Sequence, residues 1–471
     1  MATRTEKDSL GEKQVADEAY YGIQTQRALE NFPISGQRLH PLFWKAQVLI
    51  KKAAALANRE VGLLEEKLSS AIVKAADEAL EGKFDKHFVV DAFQAGAGTS
   101  QNMNVNEVLA NRALEHLGFQ RGDYKQCSPN DHVNMGQSTN DTIPTAIRLG
   151  GLLLLREFYP ALEGLRDAFA AKGREFDGIL KSGRTHLQDA VPIRLGQEFT
   201  AYARTLDYCL GHVREAARSL EDMPIGGSAV GTGLNTLPGY REKLVDHLSA
   251  FTGLPLRPAP DMREAMQSHR PAVMVSSTLR ALALELGRIA SDLRLLASGP
   301  NTGFYEIELP AVQPGSSIMP GKVNPVMAEC TNMVCFQVVG NDTALSMCAQ
   351  AGQLELNVMM PTIAYNLMMS LEILKNLMSA LTTFCIGGIK AIPERCQRYA
   401  ESTMGIATAL NTYIGYMAAA EVAKESLKTG KTLTEIVLER GLLTEAELKR
   451  ILDPVAMTEI GVPGRQTAGS R

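Results

Sequence analysis

The run Gly315-Ser316-Ser317-Ile318-Met319-Pro320-Gly321-Lys322-Val323-Asn324-Pro325 gathers reactive and hydrogen-bonding side chains where regular structure cannot form. Proline removes a backbone donor and glycine costs backbone entropy, so neither a helix nor a central strand fits here. The run lies between two helix-like segments and reads as a loop carried on a rigid scaffold, where chemistry is commonly placed. Its two serines, lysine and asparagine suit one task, holding and deprotonating a small carboxylate. Lys322 brings fixed positive charge, Asn324 and backbone N–H groups add donors, and a serine freed of its proton is a strong base. Taken alone, the same run also fits a surface turn.

Three other polar loops carry similar chemistry: Gly98-Thr99-Ser100, Gln137-Ser138-Thr139-Asn140 and Gly183-Arg184-Thr185-His186. Each has a structural reading beside the functional one. Ser138 or Thr139 can cap a helix, Thr99 can be a turn residue, and His186 can be a hydrogen-bonded loop histidine. Gly226-Gly227-Ser228-Ala229-Val230-Gly231-Thr232-Gly233 resembles a phosphate loop but lacks the Gly-Lys-Ser/Thr ending and a preceding strand, so it reads as a tight turn. The eight histidines show no metal-ligand spacing. A Ser-His-Asp triad through His186 has no nucleophile elbow to support it.

The elements that must position these loops are mostly helices. Leu155, Phe158, Leu162, Leu165 and Phe169 recur at three and four residues, as do Val275, Leu279, Leu282, Leu286, Ile289, Leu293 and Leu296. Leu367, Leu371, Leu374, Met378, Leu381 and Cys385 do so again, and weaker seams run through residues 197–222 and 327–349. Such alternation marks helices packed nearly parallel. Five long helices are expected between residues 140 and 394, longer than one subunit's core requires, which favours burial against other subunits. Before them, residues 44–61 form an amphipathic helix, while Tyr20 to Thr25 and Gln94 to Ser100 read as loops. After them come shorter elements: a helix from Thr432 ending at a glycine C-cap, Gly441, and another over residues 442–452. From Gly461 the glycine-rich tail is expected to be mobile.

Bulk properties agree with this picture. A chain of 471 residues exceeds one ordinary core. With 45% hydrophobic and 21% charged residues it has the composition of a soluble globular protein. The formal charge of −4, with signs mixed and no basic stripe, gives no footprint for nucleic acid. The N-terminal residues lack a secretory apolar core, and no stretch reaches the roughly 18 apolar residues of a membrane span. Seven scattered cysteines with no C-x-x-C spacing fit a reducing cytoplasm.

The opening run resembles, without a mismatch, the Gly-Ser-Ser-x-Met-Pro-x-Lys-x-Asn-Pro signature of the aspartase/fumarase superfamily. The other polar loops are similar to the superfamily's remaining blocks, in the same order, and the resemblance spans residues 20–454. It implies a mostly α, three-domain fold: 1–139 mixed and mostly helical, 140–394 a long-helix bundle, 395–471 a small helical domain. The central five-helix bundles would build the 20-helix core of a homotetramer whose active sites draw loops from three subunits. The implied reaction removes a proton next to one carboxylate and expels a group from the neighbouring carbon, leaving fumarate through an aci-carboxylate intermediate. By the same resemblance Ser316 is the base. Lys322, Asn324 and Thr185 hold the α-carboxylate; Thr99, Ser138, Thr139 and Ser317 form the β-carboxylate pocket; Asn140 and His186 contact the leaving amino group. No cofactor or metal is implied, activation by a divalent cation being left open, and the partners implied are a dicarboxylic amino acid and further copies of the chain.

Side blocks resemble the aspartase branch more than the class II fumarase branch: Gln188-Asp189-Ala190-Val191-Pro192, Gly352-Gln353-Leu354-Glu355-Leu356-Asn357-Val358-Met359 and Leu442-Leu443-Thr444-Glu445-Ala446-Glu447-Leu448. The expected activity is therefore carbon–nitrogen lysis of L-aspartate. The alternatives are malate/fumarate interconversion, lysis of a substituted aspartate, and a non-catalytic oligomer of the kind formed by related lens crystallins. Three features depart from the aspartase pattern: Met360 stands where glutamate is usual, Asn301 where arginine is usual, and His269-Arg270 follows an unusual block. They read as surface drift, as the mark of a substituted or larger aspartate-like substrate, or as a lost effector site.

Overall fold

A computed structural model describes residues 2–465 of the chain; the expected mobile tail from Gly461 lies outside the described residues beyond Arg465. Among the described residues the chain is mostly helical, with four separate two-stranded β-pairs. The five expected long helices are Thr139–Glu175, Leu195–Ala217, Arg270–Leu296, Val326–Gln350 and Met360–Phe384. Their seams are buried: Phe158, Leu162, Leu165, Leu279, Leu282, Leu371 and Leu374 are all inaccessible to solvent.

The chain divides into two compact units, and each holds a part of every long helix. One comprises residues 1–161, 209–284 and 333–377. Its separate core joins Trp44, Val48 and Ala55 of the Pro41–Glu60 helix to Ile72, Ala75 and Ala79 of Glu66–Leu80 and to Val105, Val108 and Leu109 of Thr99–His116. The other comprises residues 162–208, 285–332 and 378–471. Leu410, Val422, Ile436, Val437, Leu448 and Ile451 form a small C-terminal core there. The helices Leu433–Glu439 and Glu445–Ile451 each start on a threonine capping box, Thr432 with Glu435 and Thr444 with Glu447.

Two segments expected as loops are partly helical. Ile23 and Thr25 lie in the Ile23–Asn31 helix, because the buried Glu107 carboxylate accepts the N–H groups of Gly22, Gln24 and Thr25 and so nucleates its first turn. Thr99 and Ser100 open the Thr99–His116 helix, where the left-handed Gly98 (φ 86°) redirects the chain into it. Residues 226–233 form a tight turn, as expected.

Candidate functional site

In the first unit, the start of the Thr139–Glu175 helix is built by its own sequence. Ser138 Oγ accepts the N–H of Asn140 at 3.2 Å, and Asp141, three residues on, accepts the N–H of Ser138 at 2.9 Å. This reciprocal cap holds Ser138, Thr139 and Asn140 at a helix N-terminus, where the helix dipole favours a bound anion. A Cβ on Gly98 would lie 3.1 Å from Ile143, so the turn before Thr99 packs against the same helix start. Ala97 N–H donates to the Val358 carbonyl at 2.8 Å, which seats the Thr99 turn on the residues 352–359 block. Thr99, Ser138, Thr139 and Asn140 are thus brought together.

Beneath this loop lies a polar network that the sequence reading did not identify. Lys51, fully buried on the Pro41–Glu60 helix, donates to Asn134 Oδ1 at 2.8 Å and to Gln137 Oε1 at 2.9 Å. Asn102 Nδ2 reaches both Asn134 Oδ1 and Thr139 Oγ1 at 3.2 Å. Burial pushes the Lys51 ammonium down to about 7, with the nearby Asp141 charge acting the other way. A lysine in line with Trp44, Val48 and Ala55 on the buried stripe of an amphipathic helix was the available signal.

In the second unit, Thr185 and His186 stand at the tip of a hairpin formed by strands Leu180–Thr185 and Gln188–Arg194. The two-residue turn places His186 and Leu187 at φ 56° and 58°, the left-handed pair that such a hairpin needs. Both Thr185 and His186 are exposed. The strand behind them is anchored by a buried ionic cluster. Arg184 donates to both oxygens of Glu306 at 3.0 and 2.9 Å, and Lys181 pairs with Glu198 at 2.8 Å and Glu306 at 3.0 Å. The Arg184 guanidinium also lies 4.2 Å above the Phe304 ring.

The signature run is an exposed loop pinched at its base in the same unit. Gly315 N–H donates to the Lys322 carbonyl at 2.9 Å, and Asn324 Nδ2 donates to the Gly315 carbonyl. Only glycine fits at 315, because a Cβ would stand 2.3 Å from the Lys322 carbonyl oxygen. Inside the loop Ser316 Oγ accepts the N–H groups of Met319 at 3.0 Å and Ile318 at 3.3 Å. Ser317 and Lys322 are exposed, as are the apolar Ile318, Met319 and Val323. The expected site residues are therefore divided between the units, Thr99, Ser138, Thr139 and Asn140 in one and Thr185, His186, Ser316, Ser317, Lys322 and Asn324 in the other, and within the second unit the hairpin tip and the signature loop share no hydrogen bond among the described residues.

Surface drift does not account for two of the departures from the aspartase pattern: Met360 and His269 are buried, whereas Asn301 and Arg270 are exposed. Among the described residues no cluster of three or more side chains is arranged to hold a metal ion. No helix among them is long and apolar enough to cross a membrane.

Comparison with known proteins gives the family. The chain matches the family described as Lyase over residues 11–340 and that described as Fumarase C C-terminus over residues 406–459. It is 50% identical to an aspartate ammonia-lyase of Bacillus subtilis (strain 168), covering 98% of each protein. It is 49% identical to a class II fumarate hydratase of Halobacterium salinarum, again over 98% of each. Among solved structures, it superposes on a fumarate lyase:delta crystallin of Brucella melitensis bound to cobalt with a TM-score of 0.94 at 48% identity, covering 97% of this chain and 100% of that one. A class II fumarase of Schistosoma mansoni gives the same score at 37% identity, over 97% and 99% of the chains. The chain belongs to the aspartase/fumarase superfamily.

Proposed function

We propose that the protein is an ammonia-lyase that reversibly converts L-aspartate to fumarate and ammonium. The observation that carries the chemistry is the pair of backbone N–H groups aimed at Ser316 Oγ. A serine hydroxyl is a poor base because its alkoxide is too unstable; two fixed donors stabilise that alkoxide before substrate arrives. Ser316 Oγ takes the proton from C3, the electrons move into the adjacent carboxylate to give the aci-carboxylate dianion, and their return expels the substituent at C2. The amino group, already protonated, departs as ammonia and takes up a proton in water.

Lys322, Asn324 and Thr185 hold the α-carboxylate in this reading. Thr99, Ser138, Thr139 and Ser317 receive the β-carboxylate, where negative charge grows, and a helix N-terminus underlies Ser138 and Thr139. Asn140 and His186 face the amine. Overall identity does not separate aspartate from malate, since relatives named for each activity match almost equally. The aspartase-like blocks 188–192, 352–359 and 442–448 favour aspartate. The mechanism calls for no resident cofactor.

The working form is a homotetramer with active sites shared between subunits, built on three domains, 1–139, 140–394 and 395–471. Support comes from the Val326–Gln350 helix, which leaves Met333, Phe336 and Met347 exposed in the single chain. The cytoplasm is the proposed compartment, in keeping with seven scattered cysteines that lack C-x-x-C spacing.

The test follows fumarate formation from aspartate and from malate, with Ser316→Ala alongside. Turnover of aspartate, reduced roughly 10²–10⁴-fold by the substitution, is the expected result. Turnover of malate alone would replace the reading with a fumarase, and an undiminished Ser316→Ala would remove the mechanism.

A further inference from the structure

Lys51 takes no part in the chemistry above, yet it is bonded into the loop assigned to the β-carboxylate. It is fully buried, and its hydrogen bonds go to two neutral amides, Asn134 Oδ1 at 2.8 Å and Gln137 Oε1 at 2.9 Å. An ammonium can only donate, so both amides turn their oxygens toward it. Their NH₂ groups then find backbone acceptors: Asn134 Nδ2 donates to the Gln137 carbonyl and Gln137 Nε2 to the Val133 carbonyl, each at 3.1 Å. Residues 134–137, which lead into Ser138, are thus ordered around the lysine. A second line runs through Asn102, which donates to Asn134 Oδ1 and to Thr139 Oγ1. Because Thr139 Oγ1 accepts there, its own hydrogen is left to donate elsewhere.

A buried cation whose partners are neutral lacks a counter-charge, and such a charge is costly until an anion joins it. Among the described residues the one charge acting on Lys51 is that of Asp141. That carboxylate is already engaged by the N–H groups of Ser138, Gly226 and Ser228. Burial pushes it up to about 6, so it is ionised above neutral pH. Tyr240, which faces Asp141, is raised well above the usual phenol range by burial and stays neutral. The charged groups on the neighbouring helices are paired with one another, Lys52 with Asp77, and Lys243 and His247 with Glu60.

We propose that Lys51 is the buried cation that completes the carboxylate pocket at Thr99, Ser138 and Thr139, and that a dicarboxylate takes up a proton onto it on binding. This rests on the reading that the pocket receives a substrate carboxylate. Lys51 acts through Gln137, Asn134 and Asn102 and is a positioning residue. Linkage fixes the sign of the effect. The anion favours the charged ammonium, so the complex keeps a proton that the free protein loses as the pH rises past about 7, and affinity falls in that direction.

Succinate carries both carboxylates and nothing to expel, so it reads binding apart from turnover. Its dissociation constant is measured by calorimetry at about pH 7 and about pH 8.5 for the wild type, Lys51→Arg and Lys51→Met, in two buffers of different ionisation heat. Wild-type binding is expected to weaken about tenfold over that interval, with a buffer-dependent heat that reports proton uptake. Lys51→Arg stays charged throughout and should change by less than about twofold. Lys51→Met should be equally flat, and weak at both pH values. A merely structural lysine would leave both variants as pH-dependent as the wild type, and that result overturns the inference. If neither variant folds, the wild-type heats decide: proton uptake supports the inference, and its absence overturns it. A wild type that binds no succinate removes the dicarboxylate reading and the inference together. Succinate binding that ignores pH removes the inference alone.

Discussion

His269 shows what a single unusual residue does once it is inside. It is 4% exposed, and its Nε2 finds no hydrogen-bond partner among the described residues. Burial, reinforced by the neighbouring Arg148 guanidinium, pushes the imidazole down to about 3. The unfolded chain takes up this proton near pH 6.5, whereas the folded chain does so only near 3. Between those values the unfolded state binds more protons, so stability present above pH 6.5 is lost as the pH falls. The slope contributed is about 1.4 kcal/mol per pH unit. His87, pushed down to about 4 chiefly by burial, adds to the slope in the same direction. Denaturant unfolding of wild type and His269→Leu between pH 7 and 4.5 should therefore show a shallower acid loss in the variant. Parallel loss in both would mean that the ring does not stay neutral.

At the scale of elements, the hairpin bearing Thr185 and His186 depends on charges buried behind it. Glu306 is fully buried and faces both Lys181 and Arg184. Removing one partner from a buried ion cluster leaves uncompensated charge, which costs about 3–5 kcal/mol. Glu306→Ala is expected to lower the melting temperature by that equivalent and, by loosening the strand ending at Thr185, to raise the KM for aspartate. Glu306→Gln keeps the shape and some hydrogen bonds and should do less of both. A variant that melts early with an unchanged KM would separate the cluster from substrate binding. This anchor was hard to read beforehand, since Lys181 and Arg184 precede Glu306 by more than a hundred residues and strand Leu180–Thr185 has no apolar alternation. The long helices were legible because their buried stripes repeat every three to four residues and need no distant partner to be recognised. Their limits were less so: Thr139–Glu175 runs through Pro144 and Pro160, residues that ordinarily argue for a break. Of the site, the signature and its companion loops were visible as local patterns. Lys51, Asp141 and Glu306 matter through contacts made across the fold. Asp141, three residues after Ser138, carried a local sign of a helix cap, and Lys51 one in its place on a buried apolar stripe; Glu306 carried none.

For the whole molecule, the residues proposed for one reaction come from both compact units, and the proposed tetramer gives them a way to meet. Its weakest necessary feature is the apolar side of the Val326–Gln350 helix. Phe336 is 71% exposed in the single chain, with Met333 and Met347 at 63%. Burying an aromatic side chain of this kind gains about 1.5–3 kcal/mol, and a symmetric assembly repeats the gain in each subunit. Phe336→Asp replaces that gain with a charge that has to be desolvated, at a face that contributes no proposed catalytic side chain. Light scattering should then report dissociation at micromolar concentration, with activity per subunit falling in step and the helix content by circular dichroism retained. Dissociation into fully active subunits would contradict the shared site. An intact tetramer of unchanged activity would show that this helix face is not where the copies meet.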